Sequence, residues 1–123
     1  GQPSTVVRPA GTAGCDPEFL TLTMLHTVNK SPFDSHSLQT CLGLAKAGSD
    51  ILLIEDAVYA AMSGTAVTSM VETAMNASTI YALEPDLKAR GIGPEKMIDG
   101  INLVGYDGFV ELAVTNDKVQ SWL

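Results

Sequence analysis

Apolar residues along this chain fall into two kinds of stretch that take turns. Leu25–Val28, Ile51–Ile54, Thr79–Leu83 and Ile101–Val104 are short, largely apolar runs. Runs of this kind suit strands covered on both faces, and Thr79–Leu83 is rich in strand-forming residues. Between them the spacing changes to that of a helix. Leu38, Cys41, Leu42 and Ala45 fall at i, i+3, i+4 and i+7. Val67, Met70, Val71, Ala74 and Met75 repeat the stripe. Ala57–Met62 is helical by composition and stops at Gly64, and Pro85–Arg90 gives one or two turns ended by Gly91. Asp107 is placed to cap a helix over Gly108–Thr115, with Phe109, Leu112 and Ala113 on one face. Val119–Leu123 forms a last short strand.

Loop chemistry agrees with this division. Pro32 blocks any helix before it, so Asn29–Ser35 is a loop, and Asp34 or Ser35 is positioned to cap the helix that follows. Gly48 stands just past that helix, where a left-handed residue is commonly needed. Strands alternating with helices imply parallel pairing through right-handed crossovers. The expected fold is a three-layer α/β/α sandwich with a parallel sheet of about five strands.

The first 23 residues, GQPSTVVRPAGTAGCDPEFLTLT, keep neither period. They read as a vector-derived or disordered tail, with Asp16–Phe19 resembling a translated cloning site, Cys15 inside it, and Met24 as the native start. Residues 24–123 are then one domain.

Composition narrows the function classes. In 123 residues, 46% hydrophobic and 17% charged, the balance is that of a globular core. A formal charge of −7 without a basic stripe argues against direct nucleic-acid binding. No apolar run reaches the roughly 18–20 residues a membrane span needs. Two cysteines make no disulfide framework, so a cytoplasmic chain with reduced thiols is expected.

Ligand sites of an open parallel sheet lie beyond the carboxyl ends of its strands. Four loops qualify: Asn29–His36, Glu55–Asp56, Glu84–Asp86 and Gly105–Gly108. Cys41 is the candidate nucleophile, because a thiolate can carry sulfur as a persulfide and Lys30 and His36 are near enough in sequence to favour the anion. Its place on the apolar stripe favours a small core side chain instead. His26 and His36 lack a second ligand at metal spacing, so no metal is expected. Ser31, Ser35 and Ser37 suit turns and caps. Glu55 and Asp56 are adjacent and tend to point apart, which suits capping or an ion pair better than an acid–base dyad. Gly91-Ile-Gly93 follows a helix, the wrong context for a dinucleotide loop, and no cofactor is expected. Two lightly charged segments, Ala57–Met62 and Gly108–Val114, offer faces for an oligomer.

Several blocks together resemble the DsrH/TusB family: Leu25-His-Thr-Val-Asn-Lys-Ser-Pro-Phe33, the Ser37–Cys41 helix, Ile51-Leu-Leu-Ile-Glu-Asp56, Tyr81-Ala-Leu-Glu-Pro-Asp-Leu-Lys-Ala-Arg-Gly91 and Val119-Gln-Ser-Trp-Leu123. The resemblance runs in order from Met24 to Leu123. It implies a DsrEFH-like sheet in strand order 4-3-2-1-5. It implies a subunit of a cytoplasmic sulfur-relay complex with DsrE/TusD-like and DsrF/TusC-like chains, reaching sulfur-carrier proteins through the complex. Such complexes serve tRNA wobble-uridine 2-thiolation or dissimilatory sulfur oxidation, and their principal persulfide cysteine lies on the DsrE/TusD-type chain. A cysteine matching Cys41 is a feature of DsrH members from sulfur oxidisers and tilts the resemblance that way. The role implied is structural and interaction-forming, with Cys41 as an auxiliary sulfur acceptor. Two other readings stay open: a stand-alone Cys41-dependent sulfurtransferase or carrier, and a generic α/β module binding a small ligand.

Overall fold

A computed structural model describes residues 3–7 and 23–122. Its six strands are β1 Pro3–Val7, β2 Met24–Val28, β3 Asp50–Leu53, β4 Thr79–Leu83, β5 Asn102–Val104 and β6 Lys118–Trp122. The helices are α1 Ser37–Leu44, α2 Thr68–Ala74, α3 Glu84–Ala89 and α4 Tyr106–Thr115, with 3₁₀ segments at Glu55–Ala61 and Pro94–Lys96.

The strands form one sheet in order β1-β6-β2-β3-β4-β5. Strands β2 to β6 pair in parallel, in registers such as Val28↔Leu53 and Ile51↔Ile80. Counted by themselves in chain order, these five read 4-3-2-1-5 across the sheet, the order the family resemblance implies. Strand β1 joins antiparallel along β6. It lies in the stretch the sequence sets aside as a tail. The remainder of that stretch up to Leu22, with Cys15 and Asp16–Phe19, falls outside the described residues.

Side chains alternate across a strand, and the alternation sorts the core into two layers. Val28, Ile51, Leu53, Ile80, Ala82 and Trp122 face α1, the 3₁₀ segment and α2, among which Leu38, Cys41, Ala57, Val58, Ala60, Ala61 and Val71 are buried. Leu25 and Leu52 face the opposite way, onto Leu112 of α4. Around those three, Ile54, Tyr81, Val104, Phe109, Ala113 and Val119 are only partly covered. The two layers are therefore unequal. One is dressed by several helical segments; among the described residues the other has α4.

Three local expectations are corrected. Glu55–Ala61 is a 3₁₀ helix, closed by bonds such as Ala57 N–H to the Ile54 carbonyl and Met62 N–H to that of Tyr59. Its small alanines lie against the sheet. Asp107 is not a cap. Gly105 holds that position, and Asp107 sits in the first turn, where its charge complements the helix dipole. At α1 the N-cap is His36, while the Ser35 hydroxyl accepts from the Ser37 N–H at 3.1 Å and Asp34 takes no part. Gly48 does adopt the left-handed conformation, at φ +87°, as its N–H turns to the Ala77 carbonyl.

Two polar contacts lock α4 and β6 to the sheet. The buried Asn116 side chain donates to the Asp50 carboxylate at 3.0 Å and to the Leu112 carbonyl at 2.9 Å. The Thr23 N–H and hydroxyl both reach Asp117 Oδ2, at 2.9 and 3.2 Å.

Truncating the heavily covered layer is costly. Leu53→Ala should lose about 2–5 kcal/mol of stability in urea unfolding, because Leu53 is 1% exposed and enclosed on its side of the sheet. Leu112→Ala in the thinner layer should cost less, since that site already borders solvent. Equal losses would show the layers to be equally well packed.

Candidate functional site

The carboxyl ends of β2, β3 and β4 bring two of the four candidate loops into one constellation. Ile54 donates its N–H to the Val28 carbonyl, which keeps the ends of β2 and β3 together. The next residue, Glu55, has φ +49°. A side chain in the left-handed region costs roughly 1 kcal/mol, so something must hold it there. Asp86 of α3 does so: its Oδ2 accepts the Glu55 N–H at 2.7 Å. Arg90, one turn later, closes the arrangement. Its Nε and Nη2 both donate to Asp56 Oδ1, at 3.1 and 2.9 Å, and its Nη1 donates to the Asp86 carbonyl at 3.2 Å. The Asp86 carboxylate lies 3.9 Å from Nη1.

Chemically this is a clamp that joins the start of the 3₁₀ segment to α3. Each of the two aspartates has its own partner within the clamp. The Asp56–Arg90 pair is open to water on the Asp56 side, and pairs of that kind contribute about 0–1 kcal/mol. The sequence assigns Glu55 and Asp56 to capping or ion pairing, and Asp56 takes the ion-pair role. Arg90 was missed as a functional side chain. Its i, i+4 spacing from Asp86 is the signal that could have found it.

The Asn29–His36 loop is built from turns. Ser31 Oγ accepts the Phe33 N–H at 3.2 Å, and the Ser35 and Ser37 hydroxyls are 2.9 Å apart. The exposed His36 ring lies 3.3 Å from Gln39 Oε1 through Nδ1. Asn29 Oδ1 is sealed from water without a hydrogen-bond partner, a cost of about 1–3 kcal/mol. Among the described residues no group of histidine, cysteine, aspartate and glutamate side chains could hold a metal ion.

Cys41 lies wholly inside the α1 layer, with 0% exposure. Burial pushes its thiol up to about 12. The cause is desolvation, and no charge from Lys30 or His36, placed near it by sequence, offsets it. In this conformation the sulfur is protonated at neutral pH and out of reach of a donor. The apolar stripe Leu38–Cys41–Leu42 accounts for it as packing.

On the same face of the sheet, His26 and Trp122 are buried, at 3% exposure each. The indole Nε1–H donates to His26 Nδ1 at 3.0 Å, which fixes the proton of the neutral imidazole on Nε2. This bond ties β2 to the end of β6. Burial holds the His26 pKa below its ordinary value. No sequence pattern announces the pair: the residues are 96 positions apart.

The two segments singled out for an oligomer face separate. Ala57, Val58, Ala60 and Ala61 are core. The α4 segment instead keeps large apolar side chains in solvent, with Tyr106 62% and Val110 63% exposed.

Comparisons with known proteins agree with this architecture. The DsrH family model, described as "DsrH like protein", matches residues 30–119. The protein TusB of Erwinia tasmaniensis is 38% identical over 100 residues, covering 80% of this chain and all of that one. TusB of Serratia proteamaculans matches to the same extent. The crystal structure of the ychN protein from E. coli superposes with a TM-score of 0.72 at 24% identity, covering 81% of this chain and 98% of that one, a likeness of fold.

Two measurements check the buried groups. The folded chain holds His26 neutral below the ordinary pKa of 6.5, so the unfolded chain protonates first as pH falls through that value. Stability is fully present above it and declines below it. Urea midpoints should fall between pH 7.5 and 5.5, and His26→Gln should flatten that slope; an unchanged slope would discard the assignment. In a Cys15→Ser background, iodoacetamide should leave Cys41 unmodified in the native chain and label it in urea. Rapid native labelling would refute its enclosure.

Proposed function

The chain belongs to the DsrH family, and we propose that it is a subunit of a sulfur-relay complex whose part is to assemble and position the complex rather than to carry sulfur. The observation that carries this is the family match across residues 30–119. The site geometry supports the division of labour. A relay thiol must present a thiolate to donor and acceptor in turn. Cys41 is enclosed and protonated, and the carboxylates at the strand ends are engaged in a structural clamp.

The partners of the proposal are DsrE/TusD-like and DsrF/TusC-like chains, with a sulfur-carrier protein served by the whole complex in the cytoplasm. The relatives described above carry the name TusB, which favours tRNA 2-thiolation over the sulfur-oxidation branch suggested by the cysteine at position 41. Among the described residues no helix is long and apolar enough to cross a membrane. A buried thiol also weighs against the reading of a stand-alone Cys41 sulfurtransferase.

Co-expression with DsrE- and DsrF-like chains of one bacterium tests the proposal. The three should elute together in gel filtration, and a chain that elutes alone would sink the reading. Within the assembled complex, loaded with a sulfane-sulfur donor, intact mass should place the added sulfur on the DsrE-like chain. Cys41→Ala, in the Cys15→Ser background, should transfer sulfur at the parent rate. Added sulfur on Cys41 together with loss of transfer in that variant would restore Cys41 as an acceptor.

A further inference from the structure

Among the described residues, the thin side of the sheet is the less completely covered one. Among the described residues, those that a helix contributes to that layer, Phe109, Leu112 and Ala113, come from α4. Beside the helix, the strand residues Tyr81 and Val104, and Ile54 just past β3, stay partly open. On its outer side α4 repeats an apolar position every four residues, at Tyr106 and Val110, both more than half exposed. That spacing keeps them on one stripe of the helix. Large apolar side chains in line on a surface helix suit an interaction surface. Tyrosine is also a residue type favoured at the centres of interfaces.

The charges beside the stripe indicate what covers it. Asp107 and Glu111 are exposed, each one residue beyond Tyr106 and Val110, and α4 carries no lysine or arginine. Two copies meeting through this face would bring these carboxylates together in a chain already at −7, and like charges brought face to face across an interface are costly. We propose that the outer face of α4, centred on Tyr106 and Val110, docks a different protein chain, one offering an apolar patch rimmed by lysine or arginine. This rests on the reading of the chain as a relay subunit, and it names the surface by which the subunit joins its complex.

The test uses the full chain with the DsrE- and DsrF-like chains of the same bacterium. Val110→Asp should weaken their association roughly tenfold or more while leaving the urea midpoint of the isolated chain near the parent value, since the side chain is in solvent. Leu44→Asp, on the exposed end of α1 in the other layer, should leave association unchanged. Asp107→Lys combined with Glu111→Lys should weaken binding at low salt, and the difference from the parent should shrink as salt is raised. If the parent binds and Val110→Asp binds equally well, this face is not the dock, although the relay reading stands. A parent chain that binds neither partner overturns both. Tighter binding by the double lysine variant would reverse the sign of the partner's rim and overturn the proposal. So would a concentration-dependent dimer of the isolated chain that Val110→Asp abolishes, because it would assign the face to a second copy.

Discussion

A parallel sheet must be covered on both faces, because its strands are apolar on both and its crossovers lay helices over them. This chain meets the constraint unevenly. One face receives α1, the 3₁₀ segment Glu55–Ala61 and α2, and it holds most of the fully buried side chains. Among the described residues, the other buries Leu25, Leu52 and Leu112 and leaves their neighbours partly covered. Most features of the molecule follow from this imbalance. Cys41 is enclosed because it lies in the thick layer. Tyr106 and Val110 stand in solvent because the single helix over the thin layer has a second side and nothing of the described chain to set against it.

The carboxyl edge of the sheet is an example of functional-site geometry put to structural use. Glu55 stands in a backbone conformation that a side chain adopts only when held. The Asp86 carboxylate supplies the hold, and Arg90 ties Asp56 to the same helix. Each carboxylate is occupied by a neighbour, and what they secure is the angle at which the 3₁₀ segment leaves β3 and packs its alanines into the thick layer. The buried His26–Trp122 bond does comparable work at β2 and β6. Both devices fix element positions.

Much of the fold was legible in the residues. Ile51–Ile54 is apolar throughout because it is covered on both sides, and the 3.6-residue stripes marked α1 and α2. The family resemblance supplied the strand order, which periodicity could not. The candidate site was less legible. The sequence offered Cys41 with Lys30 and His36 as a thiolate environment, but neighbours in sequence along a loop and helix need not point together, and the stripe turned the sulfur inward. Ala57–Met62 and Gly108–Val114 looked alike as lightly charged helices. Only packing distinguished them, because the alanine-rich one fits flat against strands while the other projects Tyr106 and Val110 past what the sheet can reach.

By itself, then, the sequence determined the alternation of strands and helices, the parallel sheet and the acidic, lightly charged character of the chain. These are local properties, set by which residues suit each period and which break it. Tertiary structure alone decided that Asp86 and Arg90 answer Glu55 and Asp56, that Trp122 meets His26, and which of two similar helices keeps an open face. Those pairings join residues about 31 to 96 positions apart. Contact over such separations is fixed by strand register and crossover, and no local pattern encodes it.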